Sequence, residues 1–300
     1  MTDVYEVIEK ITGVAARKDE LLSLHTTLAV GGPCDLMVWI SEIPALARVI
    51  EVAKVEGLPF MVLGSGSNIL VRDGGVEGMV LRLTGDFAKL EVDSGKISAG
   101  AGAVLSNVVS AATAAGIGGF EFLSGIPGTV GGAVAGNAGS ADDWISQRLV
   151  ELRVLDEARE ERTVAASTIE FGYRTAAIPA GHIVTGALMK GFSTDVESVR
   201  HMVEERLEAR RLAQPVGEKT AGCVFKNPAC GPAGKLIDEA GLKGMKIGGA
   251  RVSTVHANYL INTGEATARE MQELIQVVRT RVKESYGVDL ELEIKTIGRN

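Results

Sequence analysis

This chain is long enough and apolar enough to bury a large core. It has 300 residues, 46% of them hydrophobic, which allows two domains. A net charge of −7 and an aromatic content of 4% argue against a nucleic-acid-binding surface. No apolar run reaches the roughly 18 residues of a membrane span, and the start of the chain lacks the basic and apolar segments of a secretory signal, so we expect neither.

The cysteines predict a reducing environment. Cys34, Cys223 and Cys230 are odd in number and lack the paired spacing of a metal site. We therefore expect a cytoplasmic protein without a bound metal.

The predicted elements begin with a strand over residues 35–40 and a helix over 44–56. Pro44 suits the first turn of that helix, and Gly57 suits the position after its end. Further strands are predicted at 79–83, 90–99, 149–155 and 183–189, and an alanine-rich helix at 104–115. This pattern is typical of a strand-rich α+β domain.

Residues 64–68 are rich in glycine and serine, and they lie between apolar runs at 59–63 and 69–71. Their backbone N–H groups and polar side chains are suited to phosphate oxygens. A hairpin turn is an equally good interpretation. Neither the helix of a dinucleotide-binding fingerprint nor the Gly-Lys-Ser/Thr of a Walker loop follows, so we predict neither of these motifs.

Glycine is most concentrated between Gly116 and Gly139, where nine glycines occur. Large apolar residues lie among them, including Phe120, Phe122 and Val130, which disfavours a flexible linker. Because glycine loses more conformational freedom on folding than any other residue, such a cluster indicates tight turns and backbone N–H groups close to a ligand.

A charged helix follows, which separates the strand-rich region from the rest of the chain. Thr194 and Glu197 predict a capping box at its start, and it stops before Pro215. We place the domain boundary there.

The C-terminal part is predicted to be a helix and then a strand. Thr267 and Glu270 predict a capping box before an amphipathic helix that ends at Gly287. Over 288–295 apolar and charged residues alternate, which predicts a strand with both Glu291 and Glu293 on its polar face.

Basic residues cluster in this part of the chain despite the net negative charge. They are Lys226, Lys235, Lys243, Lys246 and Arg251. An anionic small ligand is compatible with such a cluster. A solvated basic face is the simpler interpretation.

Several motifs, in their order and spacing, resemble those of the UDP-N-acetylenolpyruvoylglucosamine reductases, also called UDP-N-acetylmuramate dehydrogenases. They lie at residues 25–27, 30–33, 63–68, 125–128, 171–174, 221–228, 241–244, 253–259 and 293–294. The resemblance covers nearly the whole chain. The length is similar to that of the short form of the family, which lacks an inserted loop with a substrate-contacting tyrosine.

The resemblance implies an α+β fold: an FAD-binding fold of the vanillyl-alcohol-oxidase/PCMH type with a second, smaller α/β substrate domain. By this resemblance residues 1–195 are the FAD-binding domain, with subdomains at about 1–84 and 85–195. Residues 196–287 are the substrate-binding domain, and 288–300 form a C-terminal strand with an active-site glutamate.

The reaction implied is flavin-dependent reduction of UDP-N-acetylenolpyruvoylglucosamine to UDP-N-acetylmuramate, with NADPH as hydride donor. It belongs to cytoplasmic peptidoglycan precursor synthesis, on which cell-wall formation, cell shape and division depend. The partner is then a UDP-sugar, without nucleic acid or membrane, and the protein is expected to be a monomer or weak oligomer.

By the same resemblance, two loops hold the FAD. Their predicted contacts are Gly64, Ser65, Gly66, Ser67, Asn68, Gly125, Ile126, Pro127, Gly128, Thr129, Gly131, Gly132, Asn137 and Gly139. Covalent flavin in this fold usually uses a histidine or cysteine near such loops. Every histidine and cysteine of this chain lies outside them, so we expect noncovalent binding.

Three catalytic residues follow from the resemblance. Arg174 and Glu293 align with the groups that stabilise charge on the substrate carboxylate, and Cys223 aligns with the proton donor. The family more often has serine at that position. A free thiol has a pKa of about 8.5 and stays mostly protonated near neutrality, so the role is compatible with cysteine.

Tyr173, Lys226 and Asn227 are expected to bind the substrate, although a capping or solvated role fits Lys226 and Asn227 almost as well. Without the resemblance, Arg174 is a surface residue and Cys223 a small buried hydrophobe. Two alternatives remain open. One is a flavin oxidoreductase of the same fold acting on a 2-hydroxy acid or sugar, and the other is a nucleotide-binding module without redox chemistry.

Overall fold

The structure is a computed structural model that describes residues 4–140 and 143–300. Its helices are α1 (Val4–Glu9), α2 (Ile43–Glu56), α3 (Leu105–Ala114), α4 (Val130–Ala135), α5 (Val196–Ala213), α6 (Ala233–Glu239) and α7 (Ala268–Tyr286). Its strands are β1 (Val14–Leu21), β2 (Pro33–Ile40), β3 (Phe60–Val62), β4 (Ile69–Val71), β5 (Val76–Leu83), β6 (Leu90–Asp93), β7 (Lys96–Gly100), β8 (Ile117–Gly118), β9 (Gly139–Ser140), β10 (Asp143–Trp144), β11 (Leu149–Leu155), β12 (Glu161–Ala165), β13 (Phe171–Gly172), β14 (Thr175–Ala176), β15 (Ile183–Lys190), β16 (Phe192–Ser193), β17 (Lys246–Ile247), β18 (Ala250–Val252), β19 (Leu260–Asn262) and β20 (Lys295–Ile297).

The chain forms two compact units that alternate along the sequence. The larger unit contains the residues up to Lys18, Leu36–Ser65 and Gly78–Ala209, and the smaller unit contains Asp19–Asp35, Gly66–Glu77 and Arg210–Asn300. Each unit has its own buried apolar cluster. The division into functional domains at residues 195 and 287 stays a prediction.

The larger unit is built on two sheets. One has the order β1-β2-β5-β3, with β3 and β5 parallel. The other has the order β12-β11-β15-β7-β6, with antiparallel neighbours. Leu46 and Val49 of α2 and Val108 of α3 are buried in the same apolar cluster as these strands. Gly57 ends α2 as predicted, since its φ of 65° is left-handed and its N–H bonds to the last carbonyls of the helix.

The single strand predicted at 90–99 is wrong, because it is a hairpin. Ser94 and Gly95 both have positive φ, and Asp93 pairs with Lys96 across them. Positive φ at both central residues is the geometry of a two-residue hairpin turn whose twist matches that of its strands. β6 and β7 therefore lie side by side at the edge of the five-stranded sheet.

The hairpin interpretation of residues 64–68 is also wrong. The flanking apolar runs do form strands, but β3 pairs with β5 and β4 pairs with β20, both in parallel. The segment is therefore a connection between strands that do not pair with each other.

The predicted capping box at Thr194 and Glu197 is displaced by one residue. Asp195 precedes α5, and its carboxylate accepts hydrogen bonds from Ser198 N at 2.8 Å and Ser198 Oγ at 2.6 Å. An aspartate is at least as good an N-cap as a threonine, so the cap falls at the position next to the one that the pattern indicated.

The smaller unit packs α6 and α7 with short strands. β17, β18 and β19 form an antiparallel sheet, and β20 runs parallel to β4. The predicted capping box of α7 is confirmed: Thr267 Oγ1 accepts from Glu270 N, and the Glu270 carboxylate accepts from Thr267 N. The apolar face of α7 is buried as predicted, and Gly287 ends the helix in the left-handed conformation.

The predicted final strand is only partly correct. Leu290 and Ile294 are buried as the alternation indicates, but the ladder is confined to β20, which begins at Lys295. Residues 288–294 carry a single bridge, between Leu292 and Phe225. Alternation reports which side chains are buried, and it does not reveal whether a regular strand is available as a neighbour.

None of the helices in residues 4–140 and 143–300 has both the length and the apolar composition needed to cross a bilayer.

Candidate active site

The long glycine segment of the larger unit turns into α4 through a capped helix start. Thr129 precedes α4, and its side-chain oxygen accepts from Gly132 N at 3.4 Å. The backbone just after Thr129 is hydrogen-bonded to a neighbouring loop: Val130 N donates to Ala103 O, and Gly131 N donates to Ala101 O. A side chain at Gly131 would lie 2.9 Å from the Ala101 methyl group, so packing requires glycine there.

The first predicted flavin loop contacts this segment. A Cβ atom at Gly64 would lie 2.6 Å from Thr129 Oγ1, so glycine allows this backbone to lie against the Thr129 side chain. Within the larger unit, the structure thus brings Gly64 to the start of α4. Sequence reasoning predicted both segments separately, and their contact is an observation of the structure.

A buried polar pair lies just before the segment. Glu121 accepts from Gly119 N at 2.8 Å, while its second oxygen and the Ser124 hydroxyl are buried without a hydrogen-bond partner among the described residues. Buried polar groups are normally satisfied, so unpartnered ones next to a glycine loop fit a polar ligand. The residues present are therefore compatible with a bound dinucleotide.

Asn137 ends the segment and is used by the protein itself. It is buried with φ of 39°, a conformation that asparagine tolerates better than most residues. Its amide donates to Gly172 O at 3.0 Å, and its side-chain oxygen accepts from Ser146 N at 3.3 Å. Asn137 therefore holds β13, which leads directly into the turn that carries Arg174.

Arg174 lies in the two-residue turn between β13 and β14. Its φ of 59° is unusual for a residue with a long side chain. The guanidinium donates to Gly139 O at 3.2 Å and lies 5.5 Å from the ring centres of both Trp144 and Tyr173, which pack edge to face. Two aromatic contacts and one hydrogen bond hold the side chain in a defined direction.

Sequence reasoning missed Trp144, which no motif marks. Trp144 also explains why residue 139 is a glycine, because a Cβ atom there would lie 2.5 Å from the Trp144 ring. Tyr173, predicted as a substrate contact, is 46% exposed.

The smaller unit places Cys223 in an extended segment between two others. On one side, Val224 N donates to Asn258 O at 2.8 Å, and on the other Glu293 N donates to Val224 O at 2.8 Å. Asn258 is buried, and its side chain bonds to both backbone groups of Phe225, at 2.9 and 2.8 Å. These bonds bring Cys223 and Glu293 to adjacent segments.

We expect replacement of Asn258 by alanine to lower the free energy of unfolding by about 2–4 kcal/mol, because two buried backbone groups lose their partners. Urea denaturation measures the change. Gln276→Ala on the exposed face of α7 is the matched control and should stay within about 0.5 kcal/mol of the unaltered protein. Equal stability of the two variants would contradict a role for Asn258 in holding the segment.

The structure distinguishes the two glutamates that periodicity left equivalent. The Glu291 side chain is 76% exposed and pairs with Lys226 at 3.3 Å. Glu293 is half-buried, and Asn68 Nδ2 donates to its backbone carbonyl at 3.2 Å. Asn68, predicted as a flavin contact, is thus attached within the smaller unit to the backbone of the predicted catalytic glutamate.

Other residues of the 66–68 loop pack within the smaller unit. Gly66 has φ of 63°, and a Cβ atom there would lie 2.4 Å from His25 O. Thr27 N donates to Gly66 O at 3.3 Å. The loop is therefore fixed to the segment that contains the motif at residues 25–27.

Cys223 lies opposite Tyr259 in an isolated antiparallel bridge, and their side chains are hydrogen-bonded. Burial, Cys223 and Glu293 raise the pKa of Tyr259 above its usual value, and Arg210 opposes them. The neighbouring His256 accepts a hydrogen bond from Asn258 N at its Nδ1, and burial and Lys243 lower its pKa. The phenol and the imidazole are therefore both neutral near pH 7.

Asn227 and the basic cluster have partners in the protein. Asn227 Oδ1 accepts from Ala233 N at 3.0 Å at the start of α6, a helix-capping contact. The cluster forms ion pairs with acidic residues: Lys226 with Glu291, Lys235 with Glu239, Lys243 with Asp238, and Arg251 with Glu218. These contacts are compatible with the solvated face that the sequence suggested.

The other cysteines differ in accessibility. Cys34 is buried, and burial raises the pKa of its thiol to about 11, whereas Cys230 is exposed. Among the described residues, no group of three or more His, Cys, Asp or Glu side chains is arranged to hold a metal ion.

Comparison with known proteins supports the family resemblance over nearly the whole chain. Residues 214–297 match the C-terminal domain of UDP-N-acetylenolpyruvoylglucosamine reductase, and residues 34–165 match an FAD binding domain. A reductase of that name from Phenylobacterium zucineum is 44% identical over 94% of this chain and 95% of its own length. The UDP-N-acetylenolpyruvoylglucosamine reductase 2 of Symbiobacterium thermophilum is 40% identical over 95% of this chain and 92% of its own.

The chain belongs to the UDP-N-acetylenolpyruvoylglucosamine reductase family.

A solved reductase of this family, from Thermus caldophilus, agrees with the fold. It is 37% identical, with a TM-score of 0.83 over 94% of this chain and 98% of its own. The family and the fold class, an α+β protein with an FAD-binding domain, are thus confirmed. The roles of individual residues in this reductase-family chain stay predictions.

Proposed function

We propose that this protein reduces UDP-N-acetylenolpyruvoylglucosamine to UDP-N-acetylmuramate, with FAD as cofactor and NADPH as hydride donor, in peptidoglycan precursor synthesis. One observation carries the proposal at the level of residues. Cys223 and Glu293 come from segments 70 positions apart, by subtraction of their numbers, yet the Glu293 N–H bonds to the residue next to Cys223. The proposed proton donor and the carboxyl group of Glu293 are thereby carried on adjacent segments.

The FAD is held noncovalently. In the larger unit its contacts are Gly64, Ser65 and the segment from Gly125 to Gly139, with the Ser124 hydroxyl as a further donor. In the smaller unit they are Gly66, Ser67 and Asn68. The contact between Gly64 and the Thr129 side chain supports this assignment, because it brings the two glycine-rich segments together.

Bound FAD would supply hydride transfer from NADPH to the terminal carbon of the enolpyruvyl group. As charge develops on the substrate carboxylate, it is stabilised by the Arg174 guanidinium and by Glu293, which acts as a protonated carboxyl group that donates a hydrogen bond. Cys223 gives its proton to the neighbouring carbon, which completes the reduction of the double bond. The two aromatic rings that contact Arg174 hold its guanidinium in one orientation. The side chain therefore loses less conformational entropy when it binds the substrate.

We expect Tyr173, Lys226 and Asn227 to contact the UDP-sugar. Lys226 already pairs with Glu291, and Asn227 already bonds to the start of α6. These contacts either orient the two side chains for the substrate or compete with the substrate for them. We place the reaction in the cytoplasm, in keeping with three cysteines that form no disulfide among the described residues, and expect a monomer or weak oligomer.

Anaerobic visible spectroscopy tests the function. We expect the purified protein to carry an oxidised flavin band that bleaches with NADPH and returns when UDP-N-acetylenolpyruvoylglucosamine is added. If the band bleaches but does not return, the flavin assignment stands and the substrate assignment is wrong. That result would favour an oxidoreductase of 2-hydroxy acids or sugars. Absence of a flavin band after reconstitution with FAD would overturn the redox function and favour a nucleotide-binding module.

A further inference from the structure

We propose that Tyr259 is a positioning residue for Cys223: its hydroxyl donates a hydrogen bond to the sulfur and stabilises the thiolate that remains when Cys223 has given up its proton. This inference rests on the proposed function, in which Cys223 is the proton donor. Sequence reasoning included Tyr259 in a motif but assigned it no role.

Backbone pairing brings the two side chains together. Cys223 and Tyr259 face each other in an antiparallel bridge, and the next residues are joined by the bond from Val224 N to Asn258 O. The side chains of a directly opposed pair lie close together on the same face. Tyr259 is only 9% exposed, whereas Cys223 is partly exposed. The phenol thus approaches the sulfur from the protein side.

The loop that carries Tyr259 leaves its ring little freedom. Tyr259 O accepts from Ser253 N at 2.9 Å, and Tyr259 N donates to His256 O at 3.0 Å. The Ser253 hydroxyl accepts from the backbone N–H groups of Val255 and His256. The His256 ring packs edge to face on the Tyr259 ring, with 4.9 Å between the ring centres.

The surrounding charges favour a hydroxyl that donates and keeps its proton. Burial and then Cys223 raise the pKa of the phenol most, Glu293 adds to them, and Arg210 opposes them without reversing the direction. His256 is neutral near pH 7 because burial and Lys243 lower its pKa. The sulfur therefore has a neutral, permanently protonated donor beside it.

The chemical step balances without a further reactant. The S–H bond of Cys223 breaks, a C–H bond forms on the substrate carbon next to the carboxylate, and the electron pair of the S–H bond stays on sulfur. Solvent later returns a proton to the thiolate. A hydrogen bond to a charged group is stronger than one to a neutral group, so the Tyr259 hydroxyl stabilises the thiolate more than the thiol.

The test measures the thiol directly as well as the reaction. In the FAD-loaded Cys230→Ser protein, the rate of Cys223 alkylation by iodoacetamide is followed against pH by mass spectrometry. We expect Tyr259→Phe to raise the pH midpoint by about one unit, which is a tenfold change in thiolate formation. Substrate-dependent reoxidation should slow about tenfold, while bleaching by NADPH is unchanged. Tyr286→Phe, at the exposed end of α7, is the matched control and should leave every measurement unchanged.

A second measurement does not depend on the phenylalanine variant being folded. Incorporation of 3-fluorotyrosine, whose hydroxyl is a stronger donor, should lower the alkylation midpoint. An unchanged midpoint in both experiments would overturn the inference. A raised midpoint with a normal rate of reoxidation would show that Tyr259 acts on the thiol but not on the reaction, which contradicts the proposed role in catalysis. Failure of the proposed function itself is recognised separately, because the unaltered protein would then show no reoxidation by the substrate.

Discussion

The Cys223→Ala variant is expected to bleach normally with NADPH but to reoxidise with UDP-N-acetylenolpyruvoylglucosamine about 10²- to 10⁴-fold more slowly. Loss of a positioned general acid typically has an effect of this size. Hydride transfer to the flavin does not require the thiol, so only the second half-reaction should be slowed. Stopped-flow absorbance in the flavin band measures both half-reactions on one sample.

Two further variants make this result specific to the proton at position 223. Cys223→Ser places a hydroxyl there, as in most of the family by the resemblance, and should remain active. Cys230→Ala removes the exposed cysteine and should match the unaltered protein in both half-reactions. Equal reoxidation rates for Cys223→Ala and Cys230→Ala would reject Cys223 as the proton donor.

Replacement of Arg174 by alanine should slow reoxidation by substrate about 10²- to 10³-fold, because one preorganised donor to the developing negative charge is lost. Arg174→Lys should recover only part of the rate. A lysine ammonium keeps the charge but lacks the planar guanidinium that contacts both Trp144 and Tyr173. The same stopped-flow measurement gives the rate, and its dependence on substrate concentration separates weaker binding from slower chemistry.

Arg162→Ala is the matched control for Arg174. Arg162 lies in the same unit, is exposed, and pairs with Asp156 and Glu160 at the surface. Its loss should change neither half-reaction, since exposed ion pairs contribute little. If Arg174→Ala behaved like Arg162→Ala, Arg174 would have no role in stabilising the substrate carboxylate.

Much of the fold could be predicted because its signals are local. The end of α2 at Gly57 and the cap of α7 at Thr267 depend on a few neighbouring residues, and both agree with the structure. The hairpin between β6 and β7 was missed although its turn is also local. Ser94-Gly95 is a weaker turn signal than Asn-Gly or Asp-Gly, although the apolar positions shift across it from 90 and 92 to 97 and 99.

The arrangement of the candidate site could not be predicted in this way, because it depends on contacts between distant segments. Periodicity places Glu291 and Glu293 on one face, and only the fold exposes the first and brings the second beside the Cys223 segment. Trp144 and Tyr259 carry no signal of their own in the sequence. Trp144 contacts Arg174 and Tyr259 contacts Cys223, and in each pair the two residues lie about 30 or more positions apart.

By itself the sequence determined the concentrations of glycine, the helix caps, the buried face of α7 and the order of motifs that identifies the family. Each of these depends on backbone stereochemistry or residue spacing within one segment. Only the tertiary structure decided that Gly64 meets Thr129, that two aromatic rings hold Arg174, and that Tyr259 faces Cys223. Such contacts join distant segments, and they exist only once the chain has packed around its buried apolar clusters.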